Sequence, residues 1–175
     1  VVILINECRK LKIDVDPPDV NISGTNFRPV DNKTISFGLN AIKNVGSKAL
    51  DQIVEARGKH GKFESLFDFT ANVSLKSVNR KVLESMNMAG ALDGLEGNRA
   101  QKFAVIETAL KYGQTIQENK ARNQVDLFGA SSANGQDISM VPSLPQAEEW
   151  SESQLLENEK EVLGMYLSGH PLLKY

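Results

Sequence analysis

Residues 37–57 read FGLNAIKNVGSKALDQIVEAR, two apolar stripes separated by a reversal. Leu39, Ile42 and Val45 recur at threes; Ala49 and Ile53, with Leu50 and Val54 beside them, recur at fours. Both are helical spacings with one apolar face. Between them stands Lys43-Asn44-Val45-Gly46-Ser47. Asn and Gly accept a left-handed backbone, so the chain can reverse here without strain. Ser47 is a candidate N-cap for the second helix. The spacing predicts helix, tight hairpin, helix.

Such a hairpin leaves consecutive backbone N–H groups at a helix N-terminus, which suits an anion. Lys43 and Lys48 add charge on either side. A phosphate held this way fixes position and carries no sequence information. The stretch resembles a helix-hairpin-helix element, whose usual role is sequence-independent binding of the DNA backbone. In that pattern the hairpin is small or Pro, then Gly, apolar, Gly; here Asn44 takes the place of the first Gly. The resemblance makes Lys43, Asn44, Val45, Gly46, Ser47 and Lys48 candidate DNA-binding residues. A helical hairpin that only packs in a core would show the same spacing.

A second, weaker copy lies further along the chain. Val78, Val82 and Met86 form a stripe capped by Asn79, ending in Met88-Ala89-Gly90-Ala91-Leu92. Small, Gly, small, apolar after a helix looks like a degenerate hairpin, and Ala89, Gly90 and Ala91 become candidates for a second backbone clamp. Arg80, Lys81, Arg99 and Lys102 lie near it. An ordinary helix C-cap would read the same way.

Charge is unevenly spread over the 175 residues, whose formal net charge is -2. Between Lys43 and Lys62 the bases Lys43, Lys48, Arg57, Lys59 and Lys62 face only Asp51 and Glu55. Between Glu148 and Glu161 stand six glutamates and one lysine. A basic face can therefore hide within an acidic total. One cysteine, Cys8, excludes an internal disulfide, and two distant histidines give no zinc pattern. No run reaches transmembrane length and no secretion signal is visible. The cytoplasm is the expected compartment, and the sequons at Asn21, Asn32 and Asn72 read as coincidence. The chain opens without Met on VVILINECRKL, helix-like or strand-like, and reads as part of something longer.

Ile13-Asp14-Val15-Asp16 alternates and meets Pro17-Pro18, which stops regular structure. An Asp-x-Asp pair can hold magnesium, but no third carboxylate or phosphate loop accompanies it, so a solvated strand face is the stronger reading. Thr25–Val30 and Thr34–Phe37 predict a small β-hairpin. Ser65 with Asp68 opens a short helix after the basic loop 58–62. Asn98 caps a helix expected to run from Arg99 to about Glu118. Residues 120–149 read as a flexible linker. Within it Gln124-Val125-Asp126-Leu127-Phe128-Gly129 places two large apolar residues together in a polar tract. A pocket burying both would gain roughly 1.5–3 kcal/mol from each. Ser151 with Gln154 opens a last helix, expected to stop at Gly169 and Pro171, with Trp150 stapling its start.

Several segments resemble, in order, the bacterial DNA polymerase III alpha subunit family, the C-family replicative polymerases. They are PPDVN at 17–21, FGLNAIKNVG at 37–46, NRKVLE at 79–84, AGALD at 89–93, NRA at 98–100, QVDLFG at 124–129 and EKEVLGMYLSGHPL at 159–172. The resemblance implies a mainly α fold: a tandem helix-hairpin-helix domain, a small N-terminal β-hairpin, and a flexible C-terminal linker followed by a helix. It places the end of a fingers domain at 1–36, the helix-hairpin-helix domain at 37–119, a flexible segment with a clamp-binding peptide at 120–149, and a helix leading to an OB domain at 150–175. It implies a non-catalytic part of a magnesium-dependent DNA polymerase. Template-primer duplex, the sliding clamp and other replicase subunits would be its partners, and no membrane. Gln124, Asp126, Leu127 and Phe128 would bind the clamp. The family's catalytic carboxylates lie upstream, so Asp14 and Asp16 inherit no role, and this stretch should neither polymerise alone nor hold a cofactor. A helix-hairpin-helix module of a repair or recombination protein explains 37–57 equally well, but neither 124–129 nor 159–172.

Overall fold

The computed structural model describes residues 1–126 and 140–169. Those residues form a mainly helical body with a small sheet near its N-terminus. Helix α1 (Val2–Lys10) leads into strand β1 (Asp14–Asp16). The expected β-hairpin forms from β2 (Arg28–Pro29) and β3 (Thr34–Ser36), antiparallel, with Pro29 opposite Ile35. What the sequence did not suggest is that β1 adds to it in parallel, Asp14 facing Thr34 and Asp16 facing Ser36. The order is β1-β3-β2, so Pro29 lies on an edge strand, where a missing donor is tolerated.

The predicted helix before the first hairpin is a single 3-10 turn, Leu39–Ala41. Ile42 is already extended, at φ -80° and ψ 126°. Of the three apolar residues spaced at threes, only Leu39 lies in that turn. Leu39, Ile42 and Val45 are all buried. Helix α2 (Ser47–His60) buries Ala49, Leu50, Ile53 and Ala56 and leaves Val54 partly exposed. It continues through Gly58 and past the expected stop at Arg57. Arg57 is not a surface base: its Nη1 donates to the carbonyls of Val20 and Ser23, each at 2.9 Å.

Helices α3 (Leu66–Asn72) and α4 (Arg80–Met88) start at the predicted caps. The Ser65 hydroxyl accepts from the Asp68 N–H and the Asn79 side chain from the Val82 N–H. The long helix expected after Asn98 is two helices, α5 (Arg99–Ala104) and α6 (Ile106–Asp126), with Val105 at the break. Two jobs require two axes. The α5 helix carries Arg99 and Lys102 into the interior, while α6 lies against α3. A Cβ on Gly113 would stand 2.4 Å from the Thr70 carbonyl oxygen, so α6 approaches the backbone of α3 more closely than any side chain permits. Gln117 locks that contact by donating to the Thr70 and Val73 carbonyls at 2.8 and 2.7 Å.

The linker expected over 120–149 is reshaped at both ends. The backbone of residues 120–126 is helical, the end of α6. Residues 140–149 lack regular structure but are pinned to α5, because Gln101 Nε2 donates to the Pro145 carbonyl and Asn98 Nδ2 to that of Ala147. Helix α7 (Glu152–Leu163) starts at Ser151, whose hydroxyl accepts from the Gln154 N–H. It ends at left-handed Gly164, five residues before the expected stop. It packs into the same core through Val162 and Leu163. Trp150 meets the ring of Phe103 edge-on, at 5.4 Å between centroids. Among the described residues no helix is long and apolar enough to cross a membrane.

Candidate nucleic-acid interface

The first hairpin is exposed where a backbone grip requires it to be. Lys43, Asn44, Gly46, Ser47 and Lys48 face solvent, while Val45 is buried and anchors the bend. Asn44 takes the left-handed conformation, φ 65°, that its place in the pattern demands. Its side chain then does something glycine could not. Asn44 Nδ2 donates to the buried Ser85 Oγ of α4 at 3.1 Å and fastens the hairpin to the second unit.

Ser47 is not the cap. Gly46 holds that position, and no side chain closes the N-terminus of α2. The first helical bond is made by the Leu50 N–H to the Gly46 carbonyl at 3.1 Å. The amides of Gly46, Ser47 and Lys48 therefore have no acceptor among the described residues. By contrast α3, α4, α5 and α7 are all capped by side chains. Two amides of the predicted set are already engaged. The Lys43 N–H donates to the Val162 carbonyl at the end of α7, and the Val45 N–H to the Ile42 carbonyl. The open amides thus lie on the C-terminal side of the hairpin's centre. No carboxylate oxygen lies within 4.0 Å of Lys43 or Lys48 among the described residues, whereas Lys10, Lys59 and Lys111 each sit on a glutamate.

The second hairpin is turned inward, and this corrects the expectation of two outward clamps. Ala89, Gly90 and Ala91 are buried, and their N–H groups donate to the carbonyls of Ser85, Asn87 and Met86. Gly90, at φ +82°, lies under the Arg99 guanidinium; a Cβ there would stand 2.4 Å from Nη2. Arg99, expected as a surface base, makes a bidentate pair with Asp93 at 2.8 and 2.9 Å and reaches buried Glu159 of α7 at 3.3 Å. Burial disfavours the guanidinium charge, but Asp93 and Glu159 more than offset this, and its pKa is raised. Glu159 also accepts from the N–H groups of Leu167 and Ser168 and from the Ser168 hydroxyl. Lys102 is fully buried, its ammonium donating to the Leu92 and Leu95 carbonyls, and burial lowers its pKa.

Even the start of α5 is filled from within. The Glu149 carboxylate accepts from the Arg99 and Ala100 N–H groups at 3.0 and 3.1 Å, where an outward hairpin would hold a phosphate. Burial pushes Glu149 up, the amides of Arg99, Trp150 and Ala100 pull it down, and the net direction is below the ordinary value of 4.5. A carboxylate with a lowered folded-state pKa contributes stability above its unfolded pKa and loses it as pH falls through the folded one. Glu149→Gln should therefore lower stability at neutral pH by about 0.3–1 kcal/mol, the scale of a charge at a helix terminus. The gap from the parent chain should close as pH falls below the ordinary value of 4.5 and through the lowered folded-state value. Thermal melts of both chains across that range check this, and a gap that stays constant would refute it.

The remaining predicted residues fall outside this surface. Asp14 and Asp16 are exposed on β1, and among the described residues no group of three or more His, Cys, Asp or Glu is placed to hold a metal. Gln124 and Asp126 belong by backbone to the last turn of α6, whereas Leu127 and Phe128 lie outside the described residues. His60 faces Asp68 Oδ1 at 3.0 Å.

Comparison with known proteins agrees with the local geometry. Residues 12–102 match the family model described as the helix-hairpin-helix motif. Over 175 residues the chain is 39% identical to DNA polymerase III subunit alpha of Vibrio cholerae and 37% identical to that of Escherichia coli K12. Against the Thermus aquaticus subunit it is 41% identical over 171 residues, 98% of this chain. In each case the chain spans only a small part of the relative, 15%, 15% and 13% of its length.

Proposed function

This chain belongs to the helix-hairpin-helix motif family, and on that ground we propose that it is a non-catalytic, DNA-gripping part of a bacterial replicative polymerase. The gripping element is the first hairpin. Lys43 and Lys48 draw a backbone phosphate toward the open amides of Gly46, Ser47 and Lys48, and no base-reading side chain takes part. The observation that carries this reading is the uncapped, exposed N-terminus of α2 between two lysines that have no ion-pair partner among the described residues; α1 also lacks a side-chain cap but has no lysine at its start. The polymerising chemistry, with its magnesium, belongs in this proposal to the remainder of the whole protein. Clamp tethering is assigned to Gln124, Asp126, Leu127 and Phe128. What supports it is the QVDLFG sequence, whose two adjacent large apolar residues suit a partner's pocket.

One set of titrations tests both assignments on the 175-residue chain. Duplexes of unrelated sequence should bind within a few-fold of one another, with affinity falling steeply as salt rises. Tight binding to one sequence alone would refute backbone gripping. Leu127→Ala with Phe128→Ala should abolish capture of the sliding clamp and leave the duplex titration unchanged. Undiminished clamp capture by that double variant would remove the tether.

A further inference from the structure

We propose that the phosphate-binding surface continues from the first hairpin onto α4, where Lys81 holds the neighbouring phosphate of the same strand. This rests on the reading of the hairpin as a DNA-backbone grip. The Asn44–Ser85 hydrogen bond makes α4 the wall against which the hairpin is fixed. Lys81 lies four residues before Ser85, hence on the same stripe of α4 and one turn nearer its N-terminus. Side chains so spaced have Cβ atoms about 5–6 Å apart. A lysine stem spans that distance and keeps its ammonium in water.

The pairing of charges singles out this residue on α4. Lys81 is exposed, and no carboxylate oxygen lies within 4.0 Å of it among the described residues. Its neighbour Arg80 is exposed too, but its guanidinium is bound to Glu84 at 2.9 Å and lies 3.9 Å from Glu107. The other two bases near the second hairpin, Arg99 and Lys102, are buried. Lys43, Lys48 and Lys81 are thus three cations, without an ion-pair partner among the described residues, on one bend and the helix it is fastened to. A purely solvating lysine would sit as well anywhere on the surface. What distinguishes Lys81 is its register with the residue of α4 that holds the hairpin.

The test is a salt series of duplex-binding isotherms with the full 175-residue chain and a labelled duplex of arbitrary sequence. Each lost phosphate contact lowers the slope of log K against log salt by about 0.9. Lys81→Ala should therefore lower the slope by about one and weaken binding roughly eightfold near 0.1 M salt. Lys81→Arg should keep the slope. Lys111→Ala, on α6 and already paired with Glu107, should leave it unchanged. Circular dichroism spectra matching the parent chain establish that each variant is folded. If Lys43→Ala lowers the slope while Lys81→Ala does not, the extension onto α4 is wrong and the hairpin grip stands. If the parent chain shows no salt-dependent duplex binding, the hairpin grip fails and this extension falls with it.

Discussion

Arg99→Met should destabilise the folded chain by about 3–5 kcal/mol, the cost of leaving a buried charge without its partner. For a chain of this size that corresponds to a melting temperature lower by roughly 6–20 °C. The charge left behind is Glu159, which is fully buried. Its two oxygens accept from Leu167, Ser168 and Arg99, and only Arg99 brings a positive charge. Methionine fills a similar volume, so loss of packing contributes little. The same guanidinium covers Gly90 and binds Asp93, so the variant also loosens the second hairpin from α7. Arg99→Lys should recover part of the loss, since an ammonium keeps the charge but not the two-pronged geometry that meets Asp93. Urea denaturation of the three chains measures this. If the Met variant is as stable as the parent, the buried pair contributes nothing and the second hairpin is held by apolar packing alone.

Lys43→Ala combined with Lys48→Ala should weaken duplex binding by roughly 10- to 100-fold near 0.1 M salt, and lower the salt slope by about two. Both side chains are exposed and have no ion-pair partner among the described residues, so stability should change by no more than about 0.5 kcal/mol. The effect should be the same on every duplex sequence, since phosphate contacts position and do not specify. The second hairpin offers an internal contrast. With its amides bonded inside and Glu149 lying on the start of α5, it presents no equivalent group. The measurement is a fluorescence-anisotropy titration at several salt concentrations, with thermal melts alongside. A double variant that binds as well as the parent would move the grip away from α2 altogether.

Much of this body is legible in single residues. Ser65, Asn79, Asn98 and Ser151 mark four helix starts, because a cap is decided by a side chain and an amide two or three positions apart. Asn44 announces a reversal because few residues accept positive φ. The failures share a cause. The 3-10 turn at Leu39–Ala41 was hidden because threes and fours look alike over a short run. The break at Val105 was hidden because the apolar stripe passes through it without interruption, and only the positions of α3 and of the buried Lys102 require two axes.

Taken alone, the sequence determined the first hairpin, the caps, the small β-hairpin and the family, all of them written in residues close together along the chain. The tertiary structure decided which hairpin faces water. That choice is made by partners about forty or more positions distant: Val162 and Ser85 hold the first bend with its helix start open, while Glu149 and Glu159 close over the second. Local spacing cannot report it, because a backbone amide is indifferent to whether the oxygen it meets belongs to a phosphate or to a glutamate brought in by the fold.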